Sequence, residues 1–150
     1  MRRRARLTLL VVLLLAMPAA ATGCGGSAGD ILLVQRFAAG PGAGPGARLD
    51  LRVTEDGRVS CNRGALRQLT SAETITSRGI VDDLTGKNDN GPAVKHLHLP
   101  PGPEPVLRYR VSLQPGVVSF SDDSRGQPPA FLHVQQFTRQ VATGICRLPR

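Results

Sequence analysis

Residues 48–62, RLDLRVTEDGRVSCN, decide the fold. Leu49, Leu51 and Val53 alternate with Arg48, Asp50 and Arg52, the period of two expected of a β-strand with one buried face. Asp56-Gly57 suits a tight hairpin, because these residue types tolerate positive φ. The return strand, 58–62, then carries Val59 and Cys61 on one face. A lone hairpin is marginal in water, so the rest of the chain must supply further strands and an apolar cover.

Working outward, residues 31–38 are apolar and β-prone, and the two Gly-Pro-Gly units of 39–47 exclude regular structure there. Residues 106–113 form the most regular strand pattern, with Leu107, Tyr109, Val111 and Leu113 opposing Arg108, Arg110 and Ser112. Pro115-Gly116 turns that strand into 117–121. Between the two hairpins, Thr70-Ser71-Ala72-Glu73 is a capping box that predicts a helix over 70–84, with Ala72, Ile75, Gly79 and Ile80 as its apolar stripe. Residues 86–105 read as loop, with 94–99 briefly extended. Pro128-Pro129 opens a last helix whose stripe is Ala130, Val134, Phe137, Val141 and Ile145. The order predicts an α+β domain over 31–150: a small antiparallel sheet of four or five strands with two helices packed on one face. Arg52, Arg108 and Arg110 then project from the open face, either as a candidate surface for an acidic partner or as a solvated sheet.

The first 26 residues give an address. Arg2, Arg3, Arg4 and Arg6 form a basic region, 9–17 an apolar one, and small residues follow, as in an export signal. Cleavage has two readings. Ala19-Ala20-Ala21 would release a soluble protein, whereas Ala21-Thr22-Gly23-Cys24 resembles a bacterial lipobox, in which Cys24 becomes the lipid-bearing first residue. The lipobox reading divides the chain into a signal peptide at 1–23, a lipidated tether at 24–30 and one domain at 31–150. It places the protein outside the cytoplasm, anchored to the bacterial cell membrane, or secreted if the other site is used. It also resolves an odd cysteine count: with Cys24 lipidated, Cys61 and Cys146 remain to pair in an oxidising compartment.

Composition narrows the functional classes. The formal charge of +8 falls to +4 when four arginines leave with the signal, too mild and scattered for nucleic acid. One Tyr, four Phe and no Trp offer no base-stacking or sugar-binding platform. The sequence contains no G-x-S-x-G elbow, H-E-x-x-H helix, glycine-rich phosphate loop or C-x-x-C pair. His96 and His98, two apart, are weak candidates for a metal, because two imidazoles are an incomplete site. Asp82-Asp83 and Asp122-Asp123 suit turns and helix ends better than an acid/base pair across a cleft. Lone His133 reads as a helix surface residue. The expectation is a non-enzymatic chain without a cofactor.

With these elements placed, the domain resembles emfourin-type domains, protein inhibitors of thermolysin-like metalloproteases. The resemblance lies in Leu32 to Arg36 followed by a glycine-rich loop, the Leu49-Asp50-Leu51-Arg52-Val53 strand, the 70–84 helix, the 106–121 hairpin and the 129–141 helix, and covers residues 31 to about 141. The cysteine pair and the lipid anchor lie outside that pattern, and no inhibitory residue carries over. The resemblance implies a small non-catalytic binding or protease-inhibitor-like domain. Its expected partners are the membrane, through Cys24, and an extracellular metalloprotease or another envelope protein. The alternative is a structural or accessory envelope lipoprotein.

Overall fold

The computed structural model describes residues 29–39 and 48–148. Residues 1–28, read above as an export signal and, from Cys24, the start of a tether, and most of the Gly/Pro loop lie outside the described residues. Six strands and two helices follow one another as β1 (Asp30–Ala38), β2 (Arg48–Thr54), β3 (Arg58–Cys61), β4 (Arg67–Gln68), α1 (Ser71–Thr85), β5 (Leu107–Leu113), β6 (Gly116–Ser121) and α2 (Pro129–Gly144). The strands form one antiparallel sheet in the order β4-β3-β2-β1-β5-β6. The fold is α+β as expected, with a strand more than the four or five anticipated. The extra one, β4, is two residues long and pairs only with Arg58 and Val59, too short to leave a periodic signal.

β1 lies at the centre, between β2 and β5, and the register carries the alternation across the sheet. Val34 sits between Leu51 and Val111, and Leu32 opposite Val53, all buried. This layer meets the helices through an aromatic stack. Tyr109 lies 5.1 Å from Phe120, and Phe120 lies 4.1 Å from Phe131 of α2, ring centre to ring centre. Burial, the largest influence on it, pushes the Tyr109 phenol above its ordinary value, so it stays neutral as a core side chain.

The capping box of α1 forms as read from the sequence. The Thr70 hydroxyl accepts from the Glu73 N–H, and the Glu73 carboxylate accepts from the Thr70 N–H at 2.9 Å. The face that α1 buries differs from expectation: Glu73, Ser77, Ile80 and Leu84 turn inward, while Ile75 is 71% exposed and Ala72 and Gly79 face solvent. The stripe is set by Ile80 and Leu84, four residues apart. Glu73 and Ser77 continue it because the cap and the Thr74 carbonyl satisfy their polar atoms. α2 buries Ala130, Val134, Phe137 and Val141 as predicted, and ends at Gly144.

The 86–105 connection is more ordered than its composition suggests. Gly86 has φ +71 and packs against Gly91 so closely that a side-chain carbon on either would overlap the other's backbone. After a turn, residues 97–99 run beside β6: the Leu99 N–H donates to the Ser119 carbonyl at 2.8 Å and the Ser119 N–H to the Leu97 carbonyl at 3.2 Å.

Candidate functional site

Cys61 and Cys146 form a disulfide with Cα atoms 5.8 Å apart, joining the end of β3 to the residues just past α2. Both cysteines pack against the core. The chain leaves Cys61 in two left-handed residues, Asn62 at φ 51 and Arg63 at φ 62. Asn62 is pinned to β2 from both sides: its N–H donates to the Asp50 carbonyl at 2.8 Å, and its side-chain oxygen accepts the Asp50 N–H at 2.9 Å. The β3–β4 connection is therefore fixed at its root by a covalent link and two hydrogen bonds.

This connection forms one wall of a groove on the face of the sheet away from the helices. The groove measures about 690 Å³ and is lined by Leu33, Arg52, Ser60, Arg63, Leu66 and Ser112, among others. Its floor follows from the register, with Leu33 between Arg52 and Ser112 and Arg52 opposite Ser60. One row further along β1, Gln35 lies between Asp50 and Arg110. In the next row, Phe37 lies between Arg48 and Arg108, with the Arg48 guanidinium 5.3 Å from the Phe37 ring centre.

The three arginines singled out from the sequence thus share the open face but differ in state. Arg52 lines the groove and pairs with Asp30. Arg108 and Arg110 stand on β5, across β1 from it, and have no carboxylate partner among the described residues. Asp50 is engaged by Arg48 at 3.2 Å and by Gln35. The positive charge of this face is therefore only partly compensated.

At the end of the sheet where β1 leaves and β5 enters, the proline-rich segment 100–106 is held by two aspartates. The Asp123 carboxylate accepts the Gly102 N–H at 2.9 Å, the Glu104 N–H at 2.8 Å and the Ser121 hydroxyl at 2.6 Å. The Ser121 hydroxyl is the main cause of a lowered Asp123 pKa, with the two backbone N–H groups adding to it against a smaller desolvation effect. Asp122 takes the Val106 N–H at 3.1 Å, and the Ser124 hydroxyl donates to the Pro100 carbonyl at 2.7 Å. Asp122-Asp123 is thus a loop clamp, in keeping with its reading as a turn.

The histidines do not converge. His96 sits at φ 49 against Gly116, which interrupts the extended segment that would have given it a common face with His98. The His98 ring pairs with the Ser119 hydroxyl at 2.8 Å. His133 is an exposed α2 residue that meets Asp83 of α1 at 3.2 Å. Among the described residues, no group of three or more histidine, cysteine or acidic side chains is placed to hold a metal, and no helix is long and apolar enough to cross a membrane.

Alternation in the sequence points to Arg52 on this face but not to Leu33, Arg63 or Leu66. Arg63 and Leu66 belong to a connection with no periodicity. For Leu33 the signal is the unbroken apolar run 31–34, which puts an apolar residue on each face of the strand and so leaves one on the open face. No family model, no curated protein and no solved structure matches the chain.

Proposed function

We propose that the chain is an exported lipoprotein whose single domain is a non-catalytic binding module of the protease-inhibitor type, held at the bacterial cell surface through lipid on Cys24. The observation that carries this reading is the open face of the sheet. It combines a walled groove, incompletely paired arginines and a disulfide at the root of the wall, the attributes of a rigid recognition surface. Export supplies the oxidising compartment in which that disulfide persists. The clamped proline-rich segment gives the domain a second ordered projection, and proline with a fixed backbone resists proteolysis, as an inhibitor of proteases requires.

The test is a titration of the disulfide-bonded domain, from Gly25 onward, against a thermolysin-like metalloprotease, following residual activity and the integrity of the domain. Stoichiometric inhibition without cleavage supports the inhibitor reading. An unaffected protease, or digestion of the domain, overturns it and leaves the structural or accessory lipoprotein.

A further inference from the structure

We infer that the groove over β1, β2 and β3 receives a protruding acidic segment of a partner protein, an extended stretch in which an apolar side chain is flanked by carboxylates. The inference rests on the binding-module reading and names the chemistry of its partner. Shape is the first argument. The groove is concave, walled by Arg63 and Leu66 and floored by Leu33, and its 690 Å³ matches a few side chains, whereas a lipid surface is flat. Leu33 and Leu66 are 38% and 40% exposed, large apolar side chains facing one hollow.

Charge gives the second argument. The aspartates of this face are already engaged, Asp30 by Arg52 and Asp50 by Arg48, while Arg63 at the rim and Arg110 one row beyond have no carboxylate partner among the described residues. An incoming carboxylate meets guanidinium groups suited to bidentate pairing, whereas Asp50, the one acidic residue among the described lining, is already paired with Arg48.

The backbone of the wall gives the third. Arg63 occupies a left-handed conformation that glycine adopts without cost and a branched-off side chain does not, and Gly64 follows it directly. Arg63 is the second of two positive-φ residues in a turn closed by the Gly64 N–H to the Cys61 carbonyl at 2.9 Å, over a root fixed by Asn62 and the Cys61 disulfide. The turn thereby fixes where the main chain of the wall runs, and so where Arg63 leaves it, beside the groove.

Among the described residues the buried core runs from Leu32 to Ala142 and the residues packed on it from Ile31 to Leu148, all within the domain from Gly25, which is the protein to test. The probe is a fluorescent nonapeptide of alternating leucine and glutamate, compared with its leucine/lysine counterpart by fluorescence anisotropy. The expected result is binding of the glutamate peptide alone, weakened at least about tenfold by Arg63→Glu and by Leu66→Asp. Arg63→Gly should weaken it equally while raising the melting temperature, a pair of opposite effects that a merely structural arginine would not give. Retained binding in Arg63→Gly overturns the inference, as does preferential binding of phosphatidylglycerol vesicles with which the peptide fails to compete. The metalloprotease titration, run with the same variants, separates the two readings. Inhibition that survives Arg63→Glu removes the groove and keeps the inhibitor; peptide binding without inhibition keeps the groove and removes the inhibitor.

Discussion

Replacing both Cys61 and Cys146 by alanine should destabilise the domain strongly while leaving its buried hydrophobic core intact. The bond spans 85 residues of sequence, and closing a loop of that length removes roughly 4 to 5 kcal/mol of chain entropy from the unfolded state. Alanine preserves the apolar surroundings of both partly buried positions, so the cost is that of the link itself. For a domain of this size the loss corresponds to a fall in melting temperature of roughly 10 to 20 °C. Differential scanning calorimetry of the native and double-variant domains reads it directly, and an intact mass two hydrogens below that of the reduced protein confirms the bond in the starting material. A second signature is local. Without the link, the Gly64 N–H, which donates to the Cys61 carbonyl at 2.9 Å, should exchange faster with solvent, because the wall of the groove loses its root. A shift below about 4 °C, or alkylation of Cys61 in the native protein, would refute the reasoning.

Three further outcomes follow from the same contacts. Phe131→Ala, at a fully buried ring stacked on Phe120, should cost about 3 to 5 kcal/mol in a urea titration, and a loss under about 1 kcal/mol would show that α2 does not depend on that stack. Thr70→Ala should cost about 1 kcal/mol by removing the cap of α1, and no measurable change would mean that packing alone holds the helix. Asp123 has a folded pKa below its unfolded one, so its hold on 100–104 is complete above the ordinary carboxylate range and is lost as pH falls through the lowered value. Amide exchange at Gly102 and Glu104, corrected for its intrinsic pH dependence, should lose protection at the acid end, and Asp123→Asn should abolish that acid transition.

How much of this was legible in the sequence follows the range of the forces involved. Strands β2 and β5 were plain because alternation is local, and the cap of α1 because Thr70 and Glu73 are three residues apart. The inward face of α1 is ambiguous in the sequence because Ile75 and Ile80 lie on different sides of the helix. Ile80 turns inward with Leu84, one turn further on, and packs in the core, while Ile75 has no such partner and stays exposed. Residues 97–99 could be read as extended, but not that they run parallel beside β6. The open-face position of Arg52, Arg108 and Arg110 follows from alternation together with the expectation that both helices pack on the apolar face; the central place of β1 does not follow from the sequence. The groove did not, since its wall is a connection whose course depends on a disulfide partner 85 residues away. Local pattern fixes which side chains share a face; it carries no information about what a loop folds over.

The edges of the sheet bear on how a partner can approach. A common way for one chain to recognise another through a sheet is strand addition, which needs a free edge with a row of unpaired backbone groups. Here one edge, β6, is occupied at Ser119 by residues 97–99. The other, β4, is only two residues long, and its Arg67 guanidinium is drawn to the Ile145 carbonyl at 2.6 Å. With the helices covering one face, the remaining broad surface is the open face with its groove and arginines. An antiparallel sheet can leave such a face to water with no further purpose. What distinguishes this face from a merely solvated one is the hollow itself, with two large exposed leucines in it and arginines that have no carboxylate partner among the described residues. Recognition through side chains on a face, unlike strand addition, depends on particular residues, which is why single substitutions at Arg63 and Leu66 are decisive tests.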